Sequence, residues 1–244
     1  MLTQAEVTRY AHLRRLRLVD QIWKDYLQDL LLHLLARKLP GFVFGGGTAL
    51  WKLFGGDRFS EDIDGYAPSI PAELPATLQK ELGYLGISCR TAKQRRTANM
   101  LFLSLALSFP SHPREVPIQV ELLKTEPKRS ETLALHSPYP DIPPIELRVL
   151  APEELLANKV SAILGREKPR DVHDLFLLLR RGTAIDPALI RQKAPRFSLA
   201  ILEARLERKR KDWRSLEPLV IGKLPLFEEE RSSILRAFAL LPRS

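Results

Sequence analysis

FVFGGGTALWKLFGGDRFSEDIDGY, residues 42–66, is the stretch from which the rest of the chain is read. It opens with a short apolar run, Phe42-Val43-Phe44, that ends in Gly45-Gly46-Gly47. An apolar run halted by glycines reads as a buried strand entering a tight turn. Thr48 to Leu53 then reads as a short helix closed by Gly55-Gly56, and Arg58 to Asp64 as a loop rising into a second strand. A glycine turn between a strand and a helix lets backbone N–H groups approach an anion closely. Two common phosphate motifs are ruled out. The P-loop needs a Gly-Lys-Ser/Thr ending, and the GxGxxG pattern fails because Leu50 stands at the third glycine position. Taken alone, three glycines more often mark a plain tight turn.

Asp62 and Asp64 add the chemistry. Residues i and i+2 of a strand project to one face, so the two carboxylates stand side by side. Unneutralised they repel, and one tends to take up a proton. A divalent cation removes the conflict. Mg²⁺ takes hard oxygen ligands, commonly one or two carboxylates with the remainder from substrate phosphates. An isolated Asp-x-Asp is otherwise a solvated acidic loop; here apolar Ile63 between the acids and the upstream glycine turn argue for a strand. Glu121, in VPIQVELL (residues 116–123), is a third candidate carboxylate, because an acid in a mostly apolar strand needs a partner or faces water.

Outward from this centre, residues 4–37 read as one helix with an apolar stripe of Ile22, Trp23, Tyr26, Leu27, Leu30, Leu31 and Leu34, stopped by Pro40-Gly41. Residues 72–84 read as a helix regular after Pro75. Ile87–Lys93, Asn99–Phe109 and Val116–Leu123 read as strands, the second central and the third with Pro117 near its start. The proline-rich stretch 138–144 reads as a linker, followed by helices only: 152–164, 170–181 and near 186–193, 197–209 and 226–241. The expected organisation is an α/β part over 1–145, preceded by its N-terminal helix, and an all-α part over 146–244.

The 244 residues, 45% apolar and 27% charged, suit one large or two small globular domains. A single cysteine, Cys89, excludes an intramolecular disulfide and a cysteine-rich zinc site, and fits a reducing cytoplasm. The first twenty residues lack the apolar core of a signal peptide. No run approaches the roughly 20 apolar residues that span a bilayer; residues 27–39 come nearest but are interrupted by Asp29, His33 and Arg37. The net charge of +9 favours a polyanionic partner, nucleic acid first. Arg90, Lys93, Arg95 and Arg96 form one basic cluster. Arg205, Arg208, Lys209, Arg210, Lys211 and Arg214 form another, with Trp213 among them as a base-stacking candidate.

Gly46-Gly47-Thr48-Ala49-Leu50, a gap, and Arg58-x-Ser60-x-Asp62-Ile63-Asp64 resemble the first motif of the AbiEii/MenT-type nucleotidyltransferases, toxins of bacterial toxin–antitoxin and phage-resistance systems. The second half agrees: Leu155-Leu156-Ala157-x-Lys159 and Arg170-Asp171-x-x-Asp174-Leu175 resemble the family's Lys and Arg-Asp-x-x-Asp-Leu motifs. The resemblance covers about Phe42–Tyr66 and Leu150–Leu179, and more loosely the strand around Glu121.

It implies an α+β, DNA-polymerase-β-like nucleotidyltransferase fold, a mixed sheet flanked by helices with an all-α C-terminal part contributing Lys and Asp to the site. It also implies Mg²⁺-dependent transfer of a nucleotide from an NTP to RNA, for some members the 3′ end of tRNA, and a possible cognate antitoxin. By resemblance Asp62 and Asp64 hold Mg²⁺, Gly46, Gly47 and Thr48 cradle the phosphates, and Glu121 assists a second metal or activates the acceptor. Lys159 reaches the NTP, and Arg170 pairs with a neighbouring acid or with phosphate. Asp171 and Asp174 share a helix face. Asp171, at a helix start, has capping as an alternative role, so Asp174 is the preferred functional acid. Ser60, beside the metal pair, could itself accept a nucleotide. His173 is expected at the surface or in packing. Two other readings share the sequence: a nucleotidyltransferase acting on a small molecule such as an antibiotic, and a non-catalytic binding module retaining the fold.

Overall fold

The computed structural model describes residues 2–110 and 112–240. It divides into two compact units, Met1–Phe54 with Phe59–Val149, and Gly55–Arg58 with Leu150–Ser244.

The first unit begins with α1 (Gln4–Ala11), started by a reciprocal capping box between Thr3 and Glu6. A 3-10 turn (His12–Arg14) and Arg15, in the left-handed region at φ 60°, separate it from α2 (Val19–Lys38). The single helix expected over 4–37 is therefore two. The break turns Arg14 back onto α2, where its guanidinium reaches Asp25 at 2.7 Å and Asp29 at 3.0 Å.

The chain continues through β1 (Val43–Gly45), α3 (Gly46–Leu53), β2 (Ile63–Tyr66), α4 (Leu74–Tyr84), β3 (Ser88–Arg96), β4 (Met100–Phe109), β5 (His112–Leu123), β6 (Ser130–Leu135) and β7 (Ile145–Leu150). The strands form one mixed sheet in the order β3-β4-β5-β2-β1-β7-β6. β2 lies antiparallel to β1 and parallel to β5, while β3, β4 and β5 form an antiparallel run.

Three expectations are corrected here. β5 starts at His112, so Pro117 lies inside it, opposite Ala106. β2 flanks β5 only from Val120 onward, which leaves one side of β5 open at Pro117, where a missing N–H is tolerated. Residues 138–144 are not a loose linker: Tyr139 and Ile142 are buried. The following segment is not helical from the outset, because β7 joins β1 in parallel, Phe44 opposite Val149.

Period-two burial gives the sheet a covered face and an open one. Ile63 and Gly65 of β2, Ile118, Val120 and Leu122 of β5, and Leu101, Leu103 and Leu105 of β4 are buried. They alternate with half-exposed Asp64, Tyr66, Glu121, Met100, Phe102 and Ser104. Helices α2 and α4 pack against β5 and β3.

A buried ionic cluster joins α2 to α3. Lys52 Nζ lies 2.8 Å from Asp25 Oδ1 and 2.6 Å from Asp29 Oδ1, with all three side chains wholly buried. Trp51 Nε1 and Tyr139 OH also donate to Asp25, at 3.1 and 3.0 Å, and Ser137 Oγ donates to Asp29 at 2.8 Å. Burial pushes the Asp25 carboxyl up, but Lys52 and Arg14 more than reverse this, so it stays ionised below the usual carboxylate range.

The second unit contains α5 (Pro152–Gly165), α6 (Arg170–Arg180), α7 (Pro187–Lys193), α8 (Leu199–Glu207), a 3-10 stretch (Arg210–Leu216) and α9 (Phe227–Ala239). Helix α5 packs on α6, α7 and α8, and α9 packs on α6 and α8. Residue 241, the last of the expected final helix, lies outside the described residues. Segment Gly55–Arg58 belongs to this unit: Arg58 pairs with Val220 in a β-bridge, and Ile221 N donates to Asp57 O at 2.6 Å.

Removing the cation from the α2–α3 cluster leaves two buried carboxylates to share Arg14. Lys52→Met is expected to lower unfolding free energy by about 3–5 kcal/mol, read as a lower urea midpoint at unchanged m-value.

Candidate active site

In the first unit the glycine turn and the acidic pair meet. Gly45 of β1 stands opposite Asp64 of β2. Gly46 follows at φ +72°, and a Cβ there would lie 1.9 Å from Asp64 Oδ2. Only glycine fits both the backbone angle and that space. The Thr48 hydroxyl, in the first turn of α3, donates to the carbonyl oxygen of Asp62 in a short hydrogen bond. The turn therefore grips both acids, Asp64 through its side chain and Asp62 through its backbone. Gly47 and Thr48 are buried in the first turn of α3, whose leading N–H groups have no partner further up the helix.

Asp62 precedes the first residue of β2, and it and Asp64 are both half-exposed on either side of buried Ile63, as the alternation requires. Glu121 stands in register with Asp64 on the neighbouring parallel strand, which brings its side chain to the same face. Among the described residues, however, no three His, Cys, Asp or Glu side chains gather closely enough to hold a metal ion. Glu121 shares the face of Asp64 without closing a three-carboxylate cluster with the pair. The donor set that remains, Asp62 and Asp64, fits a hard cation such as Mg²⁺ that draws its other oxygens from phosphates and water. Ser60 is only 5% exposed, and its backbone carbonyl accepts from Gln28 Nε2 at 2.9 Å.

In the second unit α5 and α6 assemble a buried ion network. Lys159 Nζ lies 2.6 Å from Asp174 Oδ2 and 3.4 Å from Asp171 Oδ1. Arg58 grips Asp174 in bidentate fashion, Nε to Oδ1 and Nη2 to Oδ2, both at 2.6 Å. Arg166 does the same to Asp171 at 2.7 and 2.8 Å. Burial pushes Asp174 up, but Arg58 and Lys159 outweigh it and hold the carboxyl well below the usual range. Asp171 is lowered likewise, by Lys159 and Arg166 against burial. Its carboxylate, in the first turn of α6, is thus paired with two cations. Lys159 does not snorkel; it is buried between the two acids. Arg170 is half-buried as the first residue of α6.

His173 is neither on the surface nor mere packing. Its Nε2 lies 2.8 Å from Asp57 Oδ1 and its Nδ1 2.6 Å from Glu230 Oε1, with 1% exposure. Burial lowers its pKa, but the two carboxylates dominate and raise it from 6.5 to about 9, so it is an imidazolium at neutral pH. Sequence reasoning missed this triad, although Glu230 left a sign. The buried face of α9 is Phe227, Glu230, Ile234 and Phe238, a helical stripe with one acid in it.

Burial and pairing divide the C-terminal basic cluster. Trp213 is 6% exposed, packed edge-on against Phe227, with Nε1 donating to Pro225 O at 2.9 Å, so no base can stack on it as it stands. Lys209 is wholly buried and donates to Ile163 O at 2.7 Å. Arg205 and Arg208 lie 3.2 and 3.7 Å from Glu167, and Arg210 pairs with Glu207 and Glu228. Lys211 remains exposed.

The family model described as "Nucleotidyl transferase AbiEii toxin, Type IV TA system" matches residues 29–238. The chain belongs to the AbiEii nucleotidyltransferase toxin family. Two solved structures share the AbiEii chain's fold. One is a Helicobacter pylori protein described as a "putative nucleotidyltransferase", with 21% identity, TM-score 0.58, and 90% of this chain and 93% of that chain covered. The other is JHP933 from Helicobacter pylori, with 21% identity, TM-score 0.58 and 90% of both chains covered. No curated protein matches. The expected α+β nucleotidyltransferase fold, a mixed sheet with helices and a helical C-terminal part, is the one observed.

Two outcomes follow from this geometry. Gly46→Ala forces a side chain onto Asp64 and a disfavoured backbone angle, so nucleotidyl transfer is expected to fall at least about a hundredfold, about 3 kcal/mol or more, measured as kcat/KM. Because His173 binds its proton more tightly folded than unfolded, its contribution is complete below about pH 6.5 and is lost as pH rises through about 9. Glu230, whose own carboxyl is raised by burial despite His173, offsets part of that gain. Stability is expected to drop by about 2 kcal/mol between pH 7 and 10 by denaturant titration, and His173→Gln should flatten that slope.

Proposed function

We propose that this family member transfers a nucleotide from an NTP to an RNA acceptor, the 3′ end of a tRNA being the leading candidate, with Mg²⁺ as cofactor. The observation that carries the reading is the grip of the Gly46 turn and Thr48 on Asp62 and Asp64. It places two acids beside a helix N-terminus, the pairing a triphosphate with a divalent counter-ion requires. Asp62 and Asp64 would hold the Mg²⁺, which neutralises the triphosphate and the charge that develops on it.

The chain's own residues divide the rest of the work. Gly46, Gly47 and Thr48 offer backbone N–H groups to the phosphates. The acceptor hydroxyl attacks the α-phosphorus, an O–P bond forms as the bond to the bridging oxygen breaks, and pyrophosphate leaves. Glu121, on the same face as Asp64, takes the hydroxyl proton. By the family resemblance, Lys159 and Arg170 are the proposed cations for the NTP phosphates. The net charge of +9 supports a polyanionic acceptor over a small molecule. Membership of a toxin–antitoxin family supports a cognate antitoxin as partner and a role in phage resistance. Among the described residues no helix is long and apolar enough to cross a membrane, and the lone cysteine suits a cytoplasmic setting.

Incubation with each α-labelled NTP, Mg²⁺ and total tRNA is expected to place label on tRNA. Asp62→Ala or Asp64→Ala should reduce it by at least about a thousandfold, the scale of a lost electrostatic contribution at the reacting phosphate. Label on a small-molecule acceptor only, or label undiminished in both variants, overturns the reading.

A further inference from the structure

The backbone register places one continuous row of side chains across four strands. Asp64 of β2 stands opposite Glu121 of β5, Glu121 opposite Phe102 of β4, and Phe102 opposite Arg95 of β3. Residues paired in register project to the same face, so all four lie on the open side of the sheet. The adjacent row repeats the pattern with Gln119, Ser104 and Lys93. Three strand spacings of about 4.8 Å put the Arg95 backbone roughly 14 Å from that of Asp64.

Strand β3 is the edge of the sheet, and its nine residues contain four cations and no acid. Charges on an edge strand also guard against strand-to-strand association, but that needs charge of either sign, and these are all positive. Two of the four are already used. Arg90 pairs with Glu115, and Arg96 donates to the carbonyls of Ile70 and Pro71. Lys93 and Arg95 are exposed and have no carboxylate partner among the described residues. A register shift between Thr91 and Lys93 sets both on the open face, opposite Ser104 and Phe102.

We propose that this open face is the track for the single-stranded RNA segment that leads to the acceptor hydroxyl. A base stacks on half-exposed Phe102, and the backbone runs outward over β4 to phosphate contacts at Lys93 and Arg95. The inference rests on the RNA reading above and gives it a surface. Charge complementarity selects the occupant: beyond Glu121 the row carries an aromatic face and two unspent cations, which suit a polyanion with stackable bases. The same surface is the better candidate because pairing and burial have spent most of the cluster after α8.

The test is fluorescence anisotropy of the full chain with a 5′-fluorescein-labelled tRNA and with a labelled single-stranded oligoribonucleotide. Lys93→Glu/Arg95→Glu is expected to weaken both at least about tenfold and to reduce the salt slope by about 1.4, two single-strand phosphate contacts. Phe102→Ala should weaken the oligoribonucleotide by about tenfold. Lys93→Arg/Arg95→Lys, which keeps the charge, should bind as wild type and controls for folding. RNA binding by the wild type that is unchanged in affinity and salt slope by the charge reversal overturns the track while leaving the RNA reading standing. Absence of RNA binding by the wild type overturns both.

Discussion

A carboxylate oxygen fills the space where a side chain at position 46 would stand, and the functional geometry of the first unit depends on that exclusion. It sets the distance between β1 and β2 at the point where the chain turns into α3. Because Thr48 binds the carbonyl of Asp62 from the same helix turn, neither acid can move without the glycine turn moving too. The far end of α3 is fixed by different physics. Lys52 and Trp51 are tied to Asp25 of α2, so the helix is held by ionic contacts at one end and by close approach at the other. A site that must present two like charges side by side benefits from such rigid support, since relaxation would let them part.

The second unit solves a harder electrostatic problem. Asp171, Asp174, Lys159 and Arg58 are all buried. Buried charges are costly unless each is paired and hydrogen-bonded. Here the two acids are met by three cations, with Lys159 shared between them and an arginine fork on each. The His173 triad, one residue away along α6, has the opposite sign balance, one imidazolium between two acids.

The strand–turn–helix–strand order of residues 42–66 was legible because glycines mark the turn and period two marks β2. The helices from Pro152 to Lys193 were legible from proline starts and apolar spacing. What was hidden had physical reasons. The break at Arg15 carries no glycine or proline; it is stabilised by Arg14 reaching acids over ten residues away. β6 and β7 are short and lie on either side of a proline-rich stretch that masquerades as a linker because its anchor, Tyr139 on Asp25, is a long-range contact. Lys209 and Trp213 looked like surface because composition does not reveal which members of a charged run turn inward. The close approach of the glycine turn to Asp62 and Asp64 could be anticipated from sequence; Asp57 and Glu230 could not, since only the fold brings them to His173.

The chain passes between its two units three times, at 54/55, 58/59 and 149/150. The four residues Gly55–Arg58 are an internal tether, owned by the helical unit yet spliced between the glycine turn and the acidic pair. The helical part is consequently no detachable module. Cutting after residue 149 would strip Arg58 of Asp174 and Asp57 of His173, and orphan the four-residue leash that leads into Phe59. Recombination or truncation that treats the halves as interchangeable cassettes would inherit that orphan.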